Sequence, residues 1–249
     1  MGVITDERPR RHSIDAPGSG ADADEAVFRL TDVIRVYREV DVETIALRGV
    51  DLTIKPGEFV AVMGRSGSGK STLLNLLAGS DRPTAGRVLF FGRDLATADD
   101  AARSAIRGRQ VGIVYQSQNL APMLSLVENV RLTGWLAGRP LDDAGARAAL
   151  DRVGLRDRAA HRPAQLSGGE QQRAALSCVL AARPAVLLAD EITGELDSAS
   201  AGVVLDLLRD THRADGTTVV LVTHDLGVAG HADRIVELRD GRVVADGTP

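Results

Sequence analysis

Gly64-Arg65-Ser66-Gly67-Ser68-Gly69-Lys70-Ser71 fits the pattern Gly-x-x-x-x-Gly-Lys-Ser/Thr, with the apolar run Phe59 to Met63 before it and the helix-like stretch Thr72 to Ala78 after it. That setting suits phosphate chemistry. Glycines let backbone N–H groups converge on phosphate oxygens, and the following helix points its positive end at the same place. Lys70 would add a point charge between the outer phosphates, and the Ser71 hydroxyl would hold Mg²⁺. Far along the chain, Val186-Leu187-Leu188-Ala189 runs into Asp190 and Glu191. A strand ending there sets Asp190 at the carboxyl edge of a sheet, where an acid can serve the magnesium shell, and leaves Glu191 free to polarise a water. Two acids at a strand end also occur as plain solvated termini; the phosphate loop is what gives these a role. A third candidate is Leu166-Ser167-Gly168-Gly169-Glu170-Gln171-Gln172-Arg173. Ser167 and Glu170 have the spacing of a capping box, and Gly168 and Gly169 leave the N–H groups of a helix start accessible to an anion.

These residues need a scaffold, and the hydrophobic pattern describes one. Phe59 to Met63, Val111 to Tyr115, Val186 to Ala189 and Val219 to Val222 are continuous apolar runs, as expected of strands covered on both faces. Between them, Ser198 caps a helix running to about Arg213 before Gly216, and Asp142 opens another through Leu150, closed by Gly154. Apolar strands alternating with helices give an α/β fold with a mainly parallel core sheet. Arg234 to Leu238, a turn at Asp240-Gly241 and Arg242 to Ala245 read as a hairpin. Residues 1–25 contain Pro9, Pro17, Gly18, Gly20 and a run of Ala and Asp with almost nothing large and apolar, so they are expected to form a disordered tail.

Composition narrows the class. With 249 residues, 44% hydrophobic and 26% charged, the chain is long enough for a sizeable core and matches soluble globular proteins. A net charge of −4 argues against a nucleic-acid partner. A single cysteine, Cys178, forbids an intrachain disulfide and fits a reducing compartment; its apolar surroundings, Ala174 to Ala182, read as a buried structural site. No segment reaches the ~18 uninterrupted apolar residues of a membrane span, and Arg183 and Pro184 cut the nearest one. The charged N-terminus, without an apolar core behind it, is not a secretory signal, so a cytoplasmic location is expected.

The string Leu166 to Arg173 resembles the signature motif of ATP-binding cassette (ABC) ATPases, and the resemblance extends from about Phe28 to Gly247. It implies a P-loop NTPase core of ABC type with a mainly parallel sheet, a smaller antiparallel β part and a helical subdomain at about 117–182, within one ATPase domain over 26–249. Tyr37 resembles the aromatic that stacks on adenine, Gln116 the glutamine contacting Mg²⁺ and the attacking water, and His224 the histidine reaching the γ-phosphate. The implied catalytic residues are Glu191, His224 and Gln116, and the implied metal contacts are Ser71, Gln116 and Asp190. ATP would be held by Tyr37, by Gly64, Arg65, Ser66, Gly67, Ser68, Gly69, Lys70, Ser71 and Thr72, and by Ser167, Gly168, Gly169 and Glu170. Gly194-Glu195-Leu196-Asp197 resembles the dimer-contact loop. The flanks Ala46 to Leu52, Gly57 to Ala61 and Asp81 to Gly86 resemble the subgroup serving lipoprotein release, macrolide or peptide extrusion, and cell division. The chain departs from that pattern at Ile192, where proline is usual, and at Glu195, where asparagine is usual.

The resemblance further implies an ATPase that works as a dimer, the signature of one subunit closing on ATP held by the phosphate loop of the other. It also implies a separate membrane permease docking near Ser117 to Leu136, and a position on the inner face of the cell membrane. Leu120, Met123, Leu124, Leu126 and Trp135 either face that permease or fill the helical subdomain. A DNA-maintenance ATPase would need a long coiled coil between Lys70 and Ser167, and no sustained heptads lie there. A ribosome-acting ABC protein would usually carry two cassettes. A cell-division ATPase passing force to a membrane partner that controls a cell-wall hydrolase remains as the alternative to transport.

Overall fold

The computed structural model describes residues 26–39, 42–117 and 119–249; the tail expected at 1–25 lies outside the described residues, as does Gln118. In chain order the elements are β1 (Phe28–Glu39), β2 (Val42–Ile54), β3 (Phe59–Met63), α1 (Lys70–Leu77), β4 (Ala85–Phe90), β5 (Arg93–Asp94), α2 (Asp100–Arg109), β6 (Val111–Val114) and α3 (Leu126–Leu136). They continue with α4 (Asp143–Arg152), α5 (Gly168–Ala181), β7 (Val186–Asp190), α6 (Ser198–Asp215), β8 (Thr218–Thr223), α7 (Leu226–Ala229), β9 (Arg234–Arg239) and β10 (Arg242–Gly247). The strands divide into an antiparallel sheet, β2-β1-β4-β5, and a sheet ordered β10-β9-β3-β8-β7-β6, parallel from β9 to β6.

The continuous apolar runs are β3, β6, β7 and β8, and their side chains separate by parity. Val60, Val62, Leu188 and Val220 pack with Leu73, Leu77, Leu47 and Phe90, from α1 and the antiparallel sheet. Phe59, Ala61, Leu187 and Leu221 face the other way, onto Leu176 of α5 and Val204 and Leu208 of α6. A strand between two layers needs apolar residues at every position, which is why these runs do not alternate. A third cluster lies within α3, α4 and α5, around Leu126, Val130, Leu150, Ala174 and Cys178. Burial pushes the Cys178 thiol up to about 12, so it is chemically inert there.

Caps fix where the helices begin. Asp142 accepts from Gly145 N at 2.8 Å and opens α4 as expected. The cap of α6 is Asp197 rather than Ser198: its carboxylate accepts from the N–H groups of Ala199 and Ser200, which puts Ser198 inside the first turn. A carboxylate also suits the positive end of the helix. Gly216, at φ 64°, ends that helix.

The apolar residues between Ser117 and Leu136 divide. Leu126 is fully buried and Leu120 packs against the core, whereas Met123 and Trp135 are 74% and 66% exposed, with Leu136 beside them. No helix among the described residues is long and apolar enough to cross a membrane.

Candidate active site

Parallel register brings the chemistry to one edge. Met63 pairs with Thr223, Asp190 with Val222, and Val114 with Ala189, so β3, β8, β7 and β6 end together. The phosphate loop leaves β3, Glu191 follows β7, His224 follows β8, and Gln116 lies two residues past β6. Ligands of open α/β sheets gather at this carboxyl edge.

The loop is shaped by close contacts. Gly69 has φ 103°, and a Cβ there would stand 2.5 Å from the Ala46 carbonyl oxygen of β2, so only glycine fits. Arg65, Ser66 and Gly67 form the exposed crest, while Ser68 and Lys70 are buried. The turn of the β9–β10 hairpin braces the loop from behind: Gly241 N donates to Ser68 O at 3.0 Å, and Gly241 O accepts from Arg48 N at 2.8 Å. Lys70, only 6% exposed, donates to Gly64 O at 2.9 Å and Arg65 O at 3.1 Å, which arches the loop over its ammonium.

Glu191 occupies the left-handed backbone region, φ 47°, an uncommon state for a residue with a side chain. Its N–H donates to Val222 O and its carbonyl accepts from Gly194 N, each at 3.0 Å. This turn aims the carboxylate back over the sheet edge, with Oε1 3.8 Å from Lys70 Nζ and 3.3 Å from His224 Nδ1. Burial, then the neighbouring Glu191 charge, raise the pKa of Asp190, with Lys70 and the nearby Ser71 hydroxyl opposing them. A half-buried acid beside a second carboxylate and a hydroxyl is a donor set that a hard cation relieves. Among the described residues no three His, Cys, Asp or Glu side chains gather as a ligand set, so Mg²⁺ would take few protein oxygens here and rely on phosphate and water, its usual habit. The residues present therefore fit both Mg²⁺ and a triphosphate.

The other expected residues stand apart from this centre. Tyr37 pairs with Thr44, two residues from the Ala46 that touches the phosphate loop; its hydroxyl donates to Asp81 at 2.8 Å, and the Arg35 guanidinium lies 4.4 Å from its ring centroid. Gln116 does not reach Asp190 or Ser71 and instead donates to Glu195 Oε1 at 3.3 Å. The Ser167–Glu170 capping box is complete: Ser167 N donates to Glu170 Oε2 at 2.9 Å, and Glu170 N to Ser167 Oγ at 3.3 Å. Gly168 is exposed, but Gly169 is buried against α6, where a Cβ would come 2.9 Å from Ser200, so its glycine serves close packing. Arg158, which no motif contains, donates to Glu170 at 3.2 Å. The Ser167 backbone N–H, more than Arg158, holds the Glu170 carboxyl below its ordinary range.

Comparison with known proteins agrees with this geometry. Residues 47–194 match the family described as ABC transporter. The macrolide export ATP-binding/permease protein MacB of Hyphomonas neptunium is 46% identical over 88% of this chain and 34% of that protein. MacB of Rhodopseudomonas palustris (strain BisB18) is 48% identical over 85% of this chain and 32% of that protein. The chain thus spans about a third of the length of these relatives. Among solved structures, the dimeric ATP-binding cassette MJ0796, in a post-hydrolysis state bound to ADP and Pi, is 39% identical with a TM-score of 0.82, over 89% of this chain and 98% of that one. With the family matched over more than half its length and a whole cassette overlaid on it, the chain belongs to the ABC transporter family as an ATP-binding cassette.

Proposed function

We propose that this chain binds and hydrolyses ATP with Mg²⁺, as one of two cassettes that drive a membrane permease of the exporter type. The observation that carries this reading is the meeting of Lys70, Glu191 and His224 around one carboxylate oxygen at the carboxyl edge of the sheet. In that role Lys70 exchanges its loop carbonyls for the outer phosphates and holds them against the loop N–H groups. Bound Mg²⁺ would neutralise charge developing on the phosphates, held from the protein side by Ser71 and Asp190. Glu191 orients a water and takes its proton, and His224 fixes the Glu191 carboxylate while facing the place of the γ-phosphate. Tyr37 offers its ring to the adenine.

Ser167, Gly168, Gly169 and Glu170 stand at a helix start with no part in the Lys70 centre, which supports a role for them on ATP held by a second cassette. Residues 26–249 form one ATPase domain in this reading, with 117–182 as its helical subdomain and the exposed Met123, Trp135 and Leu136 as the permease contact. The similar proteins are named for macrolide export, which favours extrusion over control of a cell-wall hydrolase. A cytoplasmic place against the inner face of the membrane follows from that contact.

The decisive experiment is phosphate release by the purified chain. ATP with Mg²⁺ is expected to be turned over, Lys70→Ala to abolish turnover with the fold intact, and Trp135→Ala to spare turnover while preventing co-purification with the permease. Undiminished turnover by Lys70→Ala would overturn the reading.

A further inference from the structure

Gln116 and the phosphate loop open onto different cavities. Gln116 lines a cavity of about 630 Å³ together with Gly168, Ile192, Glu195 and Leu196, whereas Arg65, Ser66, Glu191 and His224 line another, of about 990 Å³. Its amide nitrogen donates to Glu195 Oε1 at 3.3 Å and passes close over Gly194, where a Cβ would stand 3.4 Å from that nitrogen. The backbone before it is fixed. Asn119 Oδ1 accepts from Tyr115 N at 2.8 Å, and Asn119 Nδ2 and the buried Gln172 Nε2 donate to Tyr115 O at 2.6 and 2.9 Å. With Tyr115 held by three bonds, rotation of the Gln116 side chain is the most direct way for it to change its partner.

We propose that Glu195 is a positioning residue for the hydrolytic site, a latch that holds the Gln116 amide away from the metal until Mg²⁺ and ATP draw it off. Glu195 directly follows the turn closed by the bond from Gly194 N to Glu191 O, so the latch is tied through the backbone to the residue that carries the water-orienting carboxylate. The bond between Gln116 and Glu195 is exposed and made by a charged acceptor, so breaking it opposes nucleotide binding modestly, by a few-fold in affinity. Only binding that recruits Gln116 breaks it, which ties the penalty to the metal and not to ATP alone. The inference rests on the proposed metal role of Gln116.

Calorimetric titration with ATP, with and without Mg²⁺, tests both. Glu195→Ala is expected to bind Mg·ATP about threefold tighter and to bind ATP without Mg²⁺ as the parent does. Glu195→Gln keeps an oxygen that accepts from Gln116 and should behave as the parent. In a Gln116→Ala background Glu195→Ala should have no effect, the mark of a coupling between these two side chains. The latch is overturned if Glu195→Ala leaves Mg·ATP affinity unchanged while Gln116→Ala weakens it. It is equally overturned if Glu195→Ala acts without Mg²⁺, or if Glu195→Gln matches it, either of which makes the effect one of charge. A Gln116→Ala variant with parental Mg²⁺ dependence would instead remove the metal role of Gln116, and the latch with it.

Discussion

One oxygen of Glu191 lies 3.8 Å from the Lys70 ammonium and 3.3 Å from the His224 ring. The carboxylate proposed to activate water lies within ion-pair range of the cation proposed to hold phosphate, so on that reading Glu191 and ATP compete for Lys70. Glu191→Gln should therefore lose turnover by about 10²-fold, the lower range for one general base, without any loss of ATP affinity. Steady-state kinetics beside equilibrium binding checks both halves; a variant that hydrolyses at the parental rate removes Glu191 from this role.

Asp190 gives the site a pH signature in stability. A carboxyl whose pKa is raised on folding is ionised more easily in the unfolded chain, so it costs nothing below the ordinary carboxylate range, and its penalty is complete above the raised value. Asp190→Asn should thus melt higher than the parent at neutral pH without Mg²⁺, and the difference should vanish towards pH 3. Because Asp190 is half-buried, solvent screening limits the effect to about 1 kcal/mol, or about 2 °C in a domain of this size. Mg²⁺ with nucleotide should reverse the order by stabilising the parent. Melting curves across pH would contradict this if the variant were less stable throughout.

Arg158 compensates a carboxylate where a neighbouring subunit's phosphates are expected. Without it, Glu170 keeps its bonds to Ser167 but presents an uncovered charge at the helix start. Arg158→Ala should weaken nucleotide-dependent dimerisation by about 2- to 5-fold, the scale of a part-exposed pair, and Arg158→Lys should restore much of it. ATP binding to the subunit's own loop should not change. Light scattering of a Glu191→Gln dimer with and without the substitution provides the measurement.

Arg35 covers one face of the Tyr37 ring, so a stacked base would have to take the other. Tyr37→Phe keeps the ring and loses only the bond to Asp81, so it should bind ATP nearly as the parent does. Tyr37→Ala should lose about 5-fold or more, from the 1–3 kcal/mol that stacking on a base contributes. Inorganic triphosphate, lacking a base, should bind all three alike, and a loss there would show damage to the loop instead.

How much of this was legible in the sequence varies by residue. The phosphate loop, the strands β3, β6, β7 and β8 and the capping box of α5 are local patterns, and local patterns survive without coordinates. The cap of α6 is ambiguous in the sequence because Asp197 and Ser198 are both good cap residues, and only the N–H directions separate them. Ser125 and Glu128 carry the same capping-box spacing at α3, so the start of that helix is equally legible. Helix α2 buries only Ile106 and so shows no apolar stripe. Strand β1 breaks its alternation at register shifts between Leu30 and Ile34. The supporting contacts Arg35 to Asp81, Arg158 to Glu170 and Gln116 to Glu195 join residues distant in sequence or across a turn, and no spacing rule predicts them.

The brace that Gly241 places behind Ser68 sets the order in which the molecule can be made. The loop leaves the ribosome early, but β3 is flanked by β8 and β9, and its rear support is a hairpin turn between Arg239 and Arg242. The strands on either side of β3 and the hairpin turn behind the loop are therefore synthesised in the last part of the chain, although Ala46 of β2, which also abuts the loop, precedes it. Long-range closures of this kind form late and slowly. A nascent chain carrying an intact Gly64 to Ser71 therefore has the letters of the nucleotide site before it has the hairpin that braces them.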